Sequence, residues 1–362
     1  MSTDTLSSKT AATGNGNLAS QPTPERIMQI GMGFWASKTL LSAVRFSLFT
    51  LLSGKKLGGA DIKQQLGLKT TQRHVYDFLD TLVSLGFLER EGLLDEAKYS
   101  NTTDTDIFLD ENKPSYIGGI LKMGNNRLYR FWADLEEGLL TGNPQNETKG
   151  SLVGDAGFEK IYETPERLKE FVNAMSGIQM GNFMALVKKF NFSNYKTLCD
   201  VGGADGWLSI QVALAHPGIQ CTTTDLKQVE PLANEKIKHF NLGDRIRFHA
   251  HDFFKDPLPS ADVISMGNII HGMTEDAKKN MISRVYDALP SGGAFIVIEN
   301  IIDNDRRMNT FGLLMSLNML IENGDAFDYS MNDFDGWAKE AGFIRTEIIS
   351  LAGPTSAAVA YK

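Results

Sequence analysis

The chain has 362 residues, 42% of them hydrophobic and 22% charged, the balance of a globular protein of two or three domains. Its 36 basic and 44 acidic side chains give a net charge of −8, which argues against a nucleic-acid binder and against a polybasic membrane-surface protein. Two cysteines, Cys199 and Cys221, rule out a disulfide framework and a four-cysteine zinc site; lying in apolar runs, they read as buried thiols of a cytoplasmic protein.

In chain order, the first 22 residues are rich in Ser, Thr, Gly and Asn and lack an apolar segment. They read as a disordered tail rather than a signal peptide. No run of about 18 apolar residues follows, so no membrane span is expected. Residues 23–53 predict a strongly apolar helix pair with Ile27, Met28, Ile30, Phe34, Trp35 and Leu40 on more than one face. A subunit interface is the favoured place for such helices.

Residues 59–100 predict helix, turn, helix and hairpin. Ala60–Leu66 is the first helix, Thr71 caps a second running to about Ser84, and Gly86 ends it. Phe87–Arg90 and Ala97–Ser100 form a small wing, which completes a winged-helix pattern. Residues 55–103 hold seven Lys/Arg and seven Asp/Glu, so the pattern carries no electrostatic footprint for DNA. Residues 114–140 and 163–190 predict further helices, joined by Gly142–Tyr162 as a lid or spacer.

From Tyr195 short apolar runs alternate with amphipathic helices. The predicted strands are Thr197–Val201, Gln220–Thr224, Ile246–Ala250, Asp262–Met266 and Ala294–Glu299, then Ile344–Leu351 and Ala357–Tyr361. This is the pattern of a doubly wound α/β sheet, with the last two strands as an antiparallel hairpin.

The most informative segment is Asp200-Val201-Gly202-Gly203-Ala204-Asp205-Gly206, at the end of the first of these strands. Glycines there let backbone approach a ligand outside the carboxyl ends of the strands. The spacing is not the G-x-G-x-x-G of a dinucleotide site, which counts against a dehydrogenase. The leading acid suits a cationic ligand. Asp225 ends the second strand, where a carboxylate accepts ribose hydroxyls, and Asp252-Phe253 follows the third, where an acid and a ring suit a base.

This set resembles the class I S-adenosylmethionine-dependent methyltransferases. From about Thr23 onward the chain resembles their caffeic-acid/acetylserotonin O-methyltransferase type, through Asp200–Gly206, Asp225-Leu226, Asp252-Phe253-Phe254, Asn268-Ile269-Ile270-His271 and Ala288-Leu289-Pro290. The resemblance implies a Rossmann-like methyltransferase sheet of seven strands behind an N-terminal helical winged-helix dimerisation domain. The expected division is a tail at 1–22, a dimerisation and acceptor-lining domain at 23–190 and a catalytic domain at 191–362. The implied cofactor is S-adenosylmethionine, held by Asp200, Gly202, Gly203, Gly206, Asp225, Leu226, Asp252, Phe253 and Asn268. The implied assembly is a homodimer acting on a small molecule, without metal, nucleic acid or membrane.

His271 follows the fourth strand and is the candidate general base for a phenol, whose pKa near 10 leaves it protonated at neutral pH. Glu299, and Asp328 where the family usually has Glu, are expected to hold its ring by hydrogen bonds. The family usually follows its His with Asp and Trp; here Gly272 and Met273 stand there. Met123, Arg127, Arg130, Met319 and Asn323 are the candidate acceptor contacts. The two arginines suit an acidic acceptor, or else pair with Asp134 or Glu136. O-methylation of a phenol is therefore preferred to S-methylation of a thioether carboxylic acid such as a methylthio-hydroxy acid, and both to a cofactor-sensing winged-helix regulator of DNA.

Overall fold

The computed structural model describes residues 22–147, 149 and 162–362. The expected tail lies outside the described residues up to position 21, as does most of the expected 142–162 lid or spacer.

The N-terminal part is helical. Glu25–Gly31 and Gly33–Arg45 form the expected helix pair. The Gln72–Ser84 helix starts at Thr71, whose side chain accepts the His74 N–H, and it ends before Gly86 in the left-handed region at φ +80°. The hairpin strands are β2 (Leu88–Glu91) and β3 (Lys98–Asn101). A short β1 (Leu57–Gly58) pairs with β3, making a three-stranded antiparallel sheet. Val75, Leu79 and Leu82 of the helix pack with Val44, Phe49 and Tyr99 as one core.

The C-terminal part is a seven-stranded sheet. Its strands are β4 (Thr197–Val201), β5 (Gln220–Asp225), β6 (Ile246–Ala250), β7 (Val263–Gly267), β8 (Ala294–Glu299), β9 (Arg345–Ser350) and β10 (Ser356–Tyr361). The order is β6-β5-β4-β7-β8-β10-β9, with the first five parallel and β10 antiparallel to both neighbours. The expected terminal hairpin is present. Crossovers run outward from β4 to β6 and then restart at β7. The switch point, where a ligand crevice opens, therefore lies between the carboxyl ends of β4 and β7.

Strand periodicity assigns the two faces. In β8, Phe295 and Val297 enter one core with the Glu275–Ala288 and Met331–Ala341 helices, and Ala294, Ile296 and Ile298 enter the other with the Trp207–Ala215 helix. Glu299 continues the Phe295 face. Cys199 and Cys221 are free and buried on adjacent strands, and burial pushes both thiols up to about 12. Among the described residues no helix is long and apolar enough to cross a membrane, and no cluster of His, Cys, Asp and Glu is arranged to hold a metal.

Candidate active site

A cavity of about 490 Å³ opens at the switch point, within the range of small-molecule sites. Eight of the nine residues expected to bind the cofactor line it: Asp200, Gly202, Gly203, Asp225, Leu226, Asp252, Phe253 and Asn268. Gly206 does not. It caps the Trp207–Ala215 helix in the left-handed region at φ +83° and so shapes the loop from behind.

The floor is a tight turn. A Cβ on Gly203 would lie 2.5 Å from Asp200 Oδ2 and 2.8 Å from Thr223 Cγ2, so only glycine fits there. Asp225 ties the turn to its strand: one carboxylate oxygen accepts the Ala204 N–H at 2.9 Å, the other the Leu226 N–H at 2.7 Å. Ser265 donates to Asp200 at 2.7 Å. Burial pushes Asp200 up to about 7 despite that hydrogen bond, and pushes Asp225 up to about 6 despite its two backbone donors. Asp252 is more open; Lys255 pairs with it at 2.8 Å and holds its carboxyl below the ordinary range.

The long Pro165–Lys189 helix forms the opposite wall with Phe171, Met175, Ser176, Gln179 and Phe183. Sequence reasoning missed these residues, and also Trp207 and Asp205. Ser176 donates to the buried Asp205 at 2.7 Å, and Lys236 pairs with the other Asp205 oxygen. The signal was present: Ser176, Gln179 and Asn182 are three buried polar side chains spaced by three on an otherwise apolar helix face.

Behind the cavity lie the expected catalytic groups. Asn268 ends β7 in the left-handed region at φ +53°, which turns the chain into the short helix Ile270–Gly272. His271 is buried there, with Nδ1 3.4 Å from Asp328 Oδ1. Glu299 differs from expectation. Its Oε1 accepts the backbone N–H groups of Ile269 at 3.0 Å and His271 at 3.1 Å, and Oε2 accepts the Tyr329 hydroxyl at 2.6 Å. It holds the loop and not the ring. Burial disfavours the imidazolium, but Glu299 and Asp328 outweigh it, so the His271 pKa lies above its ordinary value.

The acceptor candidates scatter. Met319 is buried, and Asn323, on the same Thr310–Asn323 helix, lies beside Gly272. Met123 ends the half-buried Gly118–Met123 helix. Arg127 pairs with Glu147 at 2.5 and 2.9 Å and with Glu322 at 3.1 Å, rather than with Asp134 or Glu136; Asp134 pairs with Lys149. Arg130 is exposed and has no ion-pair partner among the described residues.

Comparison with known proteins fits this geometry. A sequence model described as the O-methyltransferase domain matches residues 132–344, and one described as the O-methyltransferase dimerisation domain matches 28–111. The chain belongs to this O-methyltransferase family. The methyltransferase is 37% identical to the tetracenomycin polyketide synthesis 8-O-methyl transferase TcmO of Streptomyces glaucescens, across 94% of this chain and 97% of that one. It is 31% identical to the N,N-dimethyltransferase OxyT of Streptomyces rimosus, across 88% and 90%. Human N-acetylserotonin methyltransferase, solved in complex with S-adenosylmethionine, superimposes with a TM-score of 0.85 at 26% identity, over 95% of this chain and 99% of that one. The methyl donor of the methyltransferase is S-adenosylmethionine. The cavity suits that donor: buried carboxylates for a cationic ligand, a glycine turn with no room for a Cβ, and the apolar side chains of Leu226, Phe253 and Trp207 for a base.

Proposed function

We propose that this methyltransferase methylates the hydroxyl of a small aromatic acceptor, with His271 as general base. S-adenosylmethionine, when bound, supplies a methyl group activated on a sulfonium. Gly202 and Gly203 would pass its methionine part, Asp225 its ribose, and Leu226, Asp252 and Phe253 its adenine. Asp328 Oδ1, 3.4 Å from His271 Nδ1, is the carboxylate placed to draw the proton to that nitrogen, which would leave Nε2 as the basic one. Nε2 takes the hydroxyl proton as the acceptor oxygen bonds to the methyl carbon and the carbon–sulfur bond breaks. Glu299, through the Ile269 and His271 N–H groups, keeps the loop in place.

The observation that carries this reading is the buried His271–Asp328 pair directly after the β7 end that opens onto the cavity. The names of TcmO and of the acetylserotonin enzymes, which are O-methyltransferases, support it. Labelled S-adenosylmethionine incubated with a panel of phenols and a panel of methylthio carboxylic acids tests it. Phenol methylation that disappears in His271→Gln is expected, with cofactor affinity unchanged. Full activity in that variant overturns the role of the base.

A second reading, S-methylation of a thioether carboxylic acid, draws on two observations. Gly272 leaves His271 without the neighbouring acid usual in the family, and Arg130 is an exposed cation with no ion-pair partner among the described residues. A thioether needs no base, so turnover on the methylthio acids would survive His271→Gln and fall in Arg130→Ala.

We further propose a homodimer formed through the helices of residues 25–51, within a domain division of 23–190 and 191–362. Ile27, Met28, Ile30, Phe34 and Trp35 are all exposed in the single chain, Ile30 by 76%, and burying such a stripe favours association. Sedimentation that shows only monomer at micromolar concentration refutes it.

A further inference from the structure

Lys278 is wholly buried, with none of its surface reaching solvent. It lies in the first turn of the Glu275–Ala288 helix, where the helix dipole disfavours a cation. Burial disfavours it as well. What holds it is the catalytic region. Its ammonium donates to the carbonyl of Met273, two residues after His271. It also lies 3.8 Å from the centre of the Phe327 ring, one residue before Asp328. One side chain thus bridges the two segments that carry the base and its carboxylate.

We propose that Lys278 is a positioning residue: held between the Met273 carbonyl and the Phe327 ring, its buried ammonium sets the spacing of the His271–Asp328 pair and balances the charge around it. The proposal rests on the reading of His271 as the base.

The groups that face this cluster are few. Glu299 comes from β8, and Asp328 and Tyr329 from the segment after the Thr310–Asn323 helix. Glu275 comes from the same helix as Lys278, and Asp333 of the Met331–Ala341 helix is turned to cap Ser330. With Tyr329 and the imidazole neutral, the two buried carboxylates and the ammonium leave one negative charge. Without the ammonium there would be two, and the imidazole would hold a proton more tightly. A protonated imidazole accepts nothing from an acceptor hydroxyl. Burial pulls the Lys278 ammonium down to about 8, against the pull of Glu299 and Asp328, so it is still largely charged at neutral pH.

The test follows the His271 ring itself. Protein carrying carbon-13-labelled histidine is titrated by NMR, with the His271 signal assigned from its loss in His271→Gln. Lys278→Met is expected to move that titration up by about one pH unit, carry the acid limb of kcat with it, and lower kcat at pH 7 about tenfold with KM for S-adenosylmethionine unchanged. Lys278→Arg, which keeps the charge, is expected to restore the titration towards wild type. An unmoved titration in Lys278→Met overturns the proposal and leaves the lysine a structural counter-ion. If Lys278→Met does not fold, Phe327→Leu keeps the charge and removes its seat. It is expected to move the titration and lower kcat at least threefold; no change in either overturns the proposal. Failure of the base is seen separately: turnover retained by His271→Gln removes the catalytic consequence even where the titration moves.

Discussion

The Glu299 carboxylate accepts the backbone N–H of His271 at 3.1 Å and makes no hydrogen bond to its ring. The same oxygen takes the Ile269 N–H, and the other takes the Tyr329 hydroxyl. One buried acid therefore satisfies three donors that have no water to turn to. Glu299→Ala strands all three, at about 1–3 kcal/mol each. The expected result is a variant destabilised by roughly 3 kcal/mol or more in urea unfolding, with turnover lost alongside. Wild-type stability in the alanine variant would mean that the loop finds its shape without Glu299.

Asp200 and Asp225 couple cofactor binding to pH. Their pKa values in the free fold, about 7 and about 6, lie above the ordinary 3.8. A raised acid contributes its stability in full below about pH 4 and loses it as the pH climbs through the folded pKa. Each proton is therefore held more tightly in the free fold than in the unfolded chain. A cationic ligand beside the pair favours the ionised forms and expels those protons. Affinity for S-adenosylmethionine is expected to rise about tenfold between pH 5.5 and 7.5. Calorimetry in two buffers of different ionisation enthalpy would register the released proton; a pH-independent affinity with no proton release refutes the coupling.

Gly203→Ala places a methyl group 2.5 Å from Asp200 Oδ2 and 2.8 Å from Thr223 Cγ2, neither of which is the free end of a long side chain. The turn has to shift, and the cavity floor shifts with it. The expected outcome is at least a tenfold loss of S-adenosylmethionine affinity by fluorescence titration, about 1.4 kcal/mol. Binding at wild-type strength would show that the floor does not touch the donor.

Arg127 is held in ion pairs within the fold. It joins Glu147 to Glu322, and burial already raises the Glu322 carboxyl although the guanidinium opposes it. Arg127→Met leaves Glu322 without its counter-ion, and stability is expected to fall by roughly 2 kcal/mol at pH 7. Part of that loss returns as the pH falls, because burial makes the Glu322 carboxyl take up a proton more readily than an ordinary one. If Arg127 instead clamped an acidic acceptor, the variant would unfold like wild type and only KM for that acceptor would rise.

Much of this protein is legible in its sequence because strand ends carry their chemistry locally. The runs Thr197–Val201, Ile246–Ala250 and Ala294–Glu299 are strands with the same bounds in sequence and structure; Ala294–Glu299, buried along its whole length, shows why, since a central parallel strand is an apolar run closed here by an acid. The strand ends at Asp200, Asp225 and Asp252 point to a cationic nucleoside ligand before any fold is known, because the sheet rule puts all three at one edge.

Tertiary packing decided the rest. Ser176 and Gln179 lie more than 20 residues before the glycine turn and meet it only because the Pro165–Lys189 helix crosses the sheet edge. Glu299 faces Tyr329 and the backbone of the base, a direction set by the two-residue period of β8 against a core that local sequence does not display. Arg127 finds Glu322 across 195 residues of chain, and Lys278 is buried by segments on either side of it. Sequence determined which chemical groups the chain owns and which strand ends present them. Which carboxylate serves the ring, which serves the backbone and which arginine is already taken depended on long-range packing, because buried charge finds its partner in space and not along the chain.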